Sequence, residues 1–152
     1  MKLFVGFDHR GVEVGNLIIQ NYKEKGYEVY PSSIPHNDTD DYPDFAFDIC
    51  KQVLDNEDSL GILLCGTGIG MSIAANKVKG IRAARCVTLD DAHYARIHNG
   101  ANVICLGIND LSRKELCNII DIFINEPMPL EDRHQRRIEK IINYEKGTYN
   151  EL

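Results

Sequence analysis

Short apolar runs alternate along this chain with longer stretches of helical periodicity, and that alternation constrains the fold more than any other feature. The runs Lys2–Phe7, Tyr27–Tyr30, Leu60–Leu64, Ile81–Val87 and Asn102–Gly107 read as strands. Between the first two, Val14, Leu17, Ile18 and Tyr22 recur at helical spacing until Gly26. A helix is expected from Asp44 to about Asp55, with Phe45, Ile49 and Leu54 inward. Another leads from Ile73 towards Gly80, and a polar one runs from Asp90 to about His98. Leu116, Ile119, Ile120, Phe123 and Ile124 mark a further helix, broken by Pro127 and Pro129, and the last runs from Asp132 to about Glu145 with Ile138, Ile141 and Ile142 on one face. Strands joined by helical crossovers form parallel sheets. The expectation is one α/β domain over residues 1–152, a Rossmann-like three-layer sandwich with a five-stranded parallel sheet and helices on both faces.

Size and charge narrow the function. A chain of 152 residues buries roughly two thirds of its unfolded surface in one core. The net charge of -6 repels phosphate backbones, which argues against nucleic acid as a partner. Asp8 interrupts the N-terminal apolar run before a signal peptide's core could form, and no run reaches the ~18 residues of a membrane span. Cys50, Cys65, Cys86, Cys105 and Cys117 are odd in number and lack Cys-x-x-Cys spacing, so neither a disulfide framework nor a zinc knuckle is expected. A cytoplasmic location follows as the expectation.

In an open parallel sheet, ligands sit beyond the carboxyl ends of the strands. That edge collects Asp8 and His9, then Cys65-Gly66-Thr67-Gly68-Ile69-Gly70-Met71-Ser72, then Gly107 to Asp110. Closely spaced glycines in a strand-to-helix turn let backbone N–H groups face an anion at the helix's positive end. Cys65 adds a thiol at the mouth, and the alternative is a small apolar residue closing a buried strand. The Gly-x-Gly-x-x-Gly fingerprint after strand one and the Walker ending Gly-Lys-Ser/Thr are both missing, so a nucleotide is not favoured. A metal site from Asp8, His9, His36 and Asp38 is weaker than the reading of the latter two as solvated loop residues.

Several patches together resemble one family. Asp8-His9, Asp41-Tyr42-Pro43-Asp44, Cys65 to Gly70, Ser72 to Lys77, Gly80-Ile81-Arg82-Ala83, His98-Asn99 and Arg133-His134-Gln135-Arg136-Arg137 are similar, in order and spacing, to type B ribose-5-phosphate isomerases and the related galactose-6-phosphate isomerase subunits. The resemblance implies aldose–ketose interconversion of a sugar phosphate with no metal or organic cofactor. It implies Cys65 as the base working through a cis-enediolate, and His98 as the group that assists ring opening. The resemblance further implies that Thr67 relays a proton, that the backbone of Gly66, Gly68, Ile69 and Gly70 faces the developing oxyanion, and that Asp8, His9 and Asn99 contact the sugar.

Arg133 and Arg137 carry an argument of their own. Cations in a first helical turn oppose the macrodipole, and an i, i+4 pair on one face suits a bound phosphate. His98 precedes strand five, whereas Cys65 ends strand three, and a strand spans ~17–20 Å. The expectation is a homodimer with shared active sites, the helix 132–145 packing near the partner, which the family also resembles; a tetramer stays open. Asn109 stands where the family usually has a phosphate-binding arginine, with Arg96 and Arg113 as candidate replacements, so the sugar accepted is left open. Ser32 to Asp40 is expected to reshape one cleft wall. A sensor that binds sugar phosphate without turnover is the second reading; Cys65 and His98, which binding alone does not need, favour the enzyme.

Overall fold

The computed structural model describes residues 1–150. β1 (Lys2–Phe7) leads through a 3-10 turn at His9–Gly11 into α1 (Val12–Glu24), followed by β2 (Glu28–Pro31), α2 (Tyr42–Asp55) and β3 (Ser59–Cys65). Then come α3 (Ile69–Ala75), β4 (Ala83–Arg85), α4 (Leu89–Ile97), β5 (Val103–Gly107), α5 (Arg113–Asn125) and α6 (Asp132–Glu145). All strand pairs are parallel, in the order β2-β1-β3-β5-β4. The expected three-layer α/β sandwich is the observed architecture. No helix among the described residues is long and apolar enough to cross a membrane.

The period of two along the strands sorts the core into two layers. Leu3, Val5, Leu60, Ile62, Leu64, Ile104 and Leu106 face α1, α4 and α5. Phe4, Leu63, Cys65, Val103 and Cys105 face α2 and α3. Strand order reverses between the parallel neighbours β1 and β3: α1 leaves one face and α3 the other, which opens a crevice at their carboxyl ends. Register places Phe7 opposite Leu64, so Asp8 comes level with Cys65.

Several expectations needed correction. The buried stripe of α1 is Gly15, Ile18, Ile19 and Tyr22, leaving Leu17 exposed. In α2 the stripe ends at Val53, and Leu54 instead covers the turn at Gly80. Ile141 of α6 is exposed as well. β4 is shorter than Ile81–Val87 because side chains capture its ends: Asn102 Oδ1 accepts from Arg82 N–H at 2.8 Å, and Asp91 Oδ2 accepts from Val87 N–H at 2.8 Å. α3 begins at Ile69 and stops before Asn76, whose side chain bonds both backbone groups of Ala83 in β4 at 2.8 and 2.9 Å. Those bonds tie the end of the short helix to the edge strand.

Candidate active site

Cys65 is the last residue of β3, 8% exposed, and its Sγ accepts the N–H of Gly68 at 3.1 Å. The donor fixes the sulfur's rotamer and solvates it from inside the loop. Thr67 Oγ1 accepts the N–H of Ile69 at 3.2 Å, so the first donors of α3 are turned towards Cys65 and Thr67. Gly68 makes the turn with φ +79°, and a Cβ there would lie 3.1 Å from the Gly107 nitrogen and the Leu106 carbonyl carbon. The loop therefore lies directly on the end of β5, where Cys65 and Gly66 carbonyls accept from Ile108 and Asn109 N–H at 2.9 and 3.0 Å. The Asn109 side chain covers Gly66. Gly70 is equally constrained, since a Cβ would lie 2.6 Å from the Tyr42 ring.

Asp8 caps the 3-10 turn, accepting from Arg10 N–H at 3.0 Å. His9 is held by Asp40, through its backbone N–H at 2.8 Å and its Nδ1 at 2.6 Å. Asp8, His9, Cys65, Gly66, Thr67, Gly68, Ile69, Gly70 and Asn109 thus share the carboxyl edge. His36 is an exposed loop residue, as expected, but its ring is also stacked between Phe7 and Phe45, centroids 5.0 and 4.7 Å away. Its Nδ1 bonds Asp40 at 3.1 Å.

The other candidates gather at the opposite edge. His98 caps the end of α4, its ring stacked on Tyr94 at 4.7 Å and on His134 at 4.2 Å. His134 lies in the first turn of α6 beside Arg133 and Arg137, which press on its charge. Arg133 is bonded to Glu131 at 2.8 Å and Arg137 is exposed. The Asn99 carbonyl accepts from Arg82 Nε at 3.1 Å. Asn99 also lines an open cavity of about 1070 Å³ between the β4 edge and α6, with Arg82, Lys140 and Tyr144, and without Cys65. The chain alone does not bring Cys65 and His98 together.

Sequence reasoning gave no role to Asp40 or Arg85, and weighed His36 only as a weak metal candidate. Asp40 and His36 form the support behind His9. Arg85, at the end of β4, donates from Nε to the Thr67 carbonyl at 2.9 Å and clamps the loop from outside. Arg96 does not replace the charge missing at Asn109: it is buried, bonding the Ala101 carbonyl at 2.6 Å and lying over Phe123. Arg113 is exposed at the start of α5, paired with Glu13 at 2.8 Å. Burial pushes the thiols of Cys50 and Cys86 up to about 12 and that of Cys105 well above its ordinary value. Those three cysteines stay protonated and inert.

Fold and site define a Rossmann-like α/β protein with a thiol-bearing glycine loop at the carboxyl edge of its sheet. The chain belongs to the ribose/galactose isomerase family, whose sequence profile matches residues 3–141. It is 44% identical over 149 residues, 97% of each chain, to a probable ribose-5-phosphate isomerase B of Mycoplasma genitalium. A solved ribose-5-phosphate isomerase B from that organism, with bound ribulose-5-phosphate, superposes with a TM-score of 0.88 at 43% identity, covering 95% of this chain and 96% of the other. The Clostridium thermocellum ribose-5-phosphate isomerase B gives 0.90 at 39% identity, covering 97% and 99%.

Proposed function

We propose that the protein interconverts ribose 5-phosphate and ribulose 5-phosphate, or a close aldose/ketose 6-phosphate pair. The observation that carries this reading is the Cys65 thiol at the β1/β3 crevice, level with Asp8 and bonded from within its glycine loop by the Gly68 N–H. The reaction moves one proton between carbons and one between oxygens, and needs no external redox partner. The Cys65 thiolate takes the proton from C2 of the open-chain aldose, and the C1 oxygen gains the charge as the enediolate forms. Returning the proton to C1 yields the ketose, while Thr67 passes a proton between the two oxygens. Backbone donors of the loop stabilise the oxyanion. His98 and Asn99 from a second copy assist ring opening and hold the sugar, and Arg133 and Arg137 hold the phosphate in a fork of charge-assisted bonds. A homodimer with shared sites reconciles the two edges of the sheet.

The test is a metal-free assay of ribose 5-phosphate, allose 6-phosphate and galactose 6-phosphate conversion beside Cys65→Ala. Loss of a positioned base lowers kcat by about 10²–10⁴. Activity that survives in Cys65→Ala would sink the assigned base; binding without turnover in the parent would turn the reading to a sensor.

A further inference from the structure

Asp40 sits in the loop between β2 and α2, yet its side chain is only 6% exposed. A carboxylate this enclosed persists only when donors satisfy it. Oδ1 accepts from the His9 backbone N–H at 2.8 Å and from His9 Nδ1 at 2.6 Å. Oδ2 accepts from His36 Nδ1 at 3.1 Å and from Asn37 N–H at 3.2 Å. Burial alone would push the carboxyl up; the bonds from His9, His36 and Asn37 outweigh it and hold it well below the usual carboxylate range. An ionised carboxylate can only accept, so the proton position on both rings is assigned to Nδ1.

For His9 this has a chemical consequence. With Nδ1–H turned to buried Asp40, the ring's other edge is the exposed one, and the side chain is 32% exposed at the end of β1. The hydrogen bond from Asp40 raises the ring above the ordinary imidazole value, against the opposing effect of burial, and the charges of Asp40 and Asp8 add to it. The charged groups bearing on the ring are thus both acids, with His36 on the far oxygen of Asp40. Nε2 is an acceptor when the ring is neutral and a donor when it is charged.

We propose that Asp40 is a positioning residue that sets the tautomer and charge of His9, so that Nε2–H is offered to an anionic oxygen of the substrate. The Phe7–His36–Phe45 stack holds the carboxylate's second oxygen and keeps the pair in register. The proposal rests on the sugar-phosphate reading for the identity of the anion, and on the His9–Asp40 geometry for everything else.

The experiment is nitrogen-detected NMR of the histidine rings in the full chain, with steady-state kinetics on ribose 5-phosphate. Neutral wild-type His9 is expected as the Nδ1–H tautomer, titrating above an ordinary imidazole and higher still with inorganic phosphate. In Asp40→Asn the titration falls and KM at about pH 7.5 rises roughly tenfold, as for loss of one charge-assisted bond, with the smaller change in kcat. The KM ratio is largest between the two His9 titration midpoints, where only the wild-type ring is charged. An Nε2–H tautomer in the wild type overturns the proposal, as does Asp40→Asn with unchanged titration and KM. If Asp40→Asn does not fold, the wild-type tautomer decides. If the wild type does not turn over ribose 5-phosphate, the isomerase reading fails, while the tautomer and the phosphate shift still decide the role of Asp40.

Discussion

His98 lies face to face with His134, ring centroids 4.2 Å apart and planes 20° apart, while Cys65 ends β3 at the other edge of the sheet. The topology requires this separation. α4 carries the chain from the carboxyl end of β4 back to the start of β5, and His98 caps the end of that return. A site that uses both residues takes them from two copies.

Subunit mixing tests this. In the proposed dimer, Cys65→Ala and His98→Ala each remove a group from every site. A mixed dimer has one doubly damaged site and one intact site. Random exchange places half of the molecules in mixed dimers, so roughly a quarter of wild-type activity should return. No recovery despite demonstrated exchange would refute the shared site.

His134 provides a pH test. It is 6% exposed and its Nε2 has no hydrogen-bond partner. Burial, reinforced by the neighbouring His98 and Arg133, holds its ring below the ordinary imidazole value. The unfolded chain therefore binds this proton more readily than the folded one. The group's contribution to stability is present above about pH 6.5 and is lost as pH falls from there through the lowered folded value. His134→Phe keeps a ring on His98 and removes the titration. Thermal unfolding between about pH 7.5 and 5.5 should fall more steeply for the wild type than for this variant. Parallel curves would show that the ring is free to charge in place.

Gly68 and Gly147 have similar backbone angles, φ +79° and +73°, but different surroundings. A Cβ at Gly147 meets nothing within 4 Å, whereas at Gly68 it meets the backbone of Leu106 and Gly107. Gly147→Ala should cost about 1 kcal/mol, the left-handed strain alone. Gly68→Ala should cost about 2–3 kcal/mol and lower activity as well, because the loop must move off β5. Denaturant unfolding reads both, and equal costs would mean that the loop has room to shift.

Much of this was legible in the sequence because strands and helices announce themselves through local periodicity. The bounds of β1 and α6 coincide with the pattern, and the Cys65 loop lies at the strand end where glycine spacing put it. Asp40 was not legible. Within Asn37-Asp38-Thr39-Asp40-Asp41 nothing distinguishes the carboxylate that becomes buried, because its partners come from the far end of β1 and from a ring clamped by Phe7 and Phe45. Leu17 and Leu54 were misplaced for a related reason: a helix has several apolar candidates, and the neighbouring layer decides which stripe is covered. Arg85 escaped notice because its partner is a backbone carbonyl, which leaves no mark in sequence.

Arg85 yields a prediction about activity rather than stability. Its Nε donates to the Thr67 carbonyl at 2.9 Å, and the residue is exposed on the edge strand β4. Removing an exposed side chain of this kind changes folding stability by about 0.5 kcal/mol or less. The carbonyl it holds belongs to the loop that carries the Gly68 donor to Cys65, so losing the clamp loosens the proposed base without unfolding the chain. A small misplacement of reacting groups is amplified in rate, and Arg85→Ala should lower kcat by about tenfold with Tm nearly unchanged. Arg85→Lys retains a donor of similar reach but without the planar fork, and should fall between the two. Steady-state kinetics beside thermal unfolding separates the outcomes: equal kcat in all three proteins would show that the loop holds its shape from within, through Gly68 and the end of β5 alone.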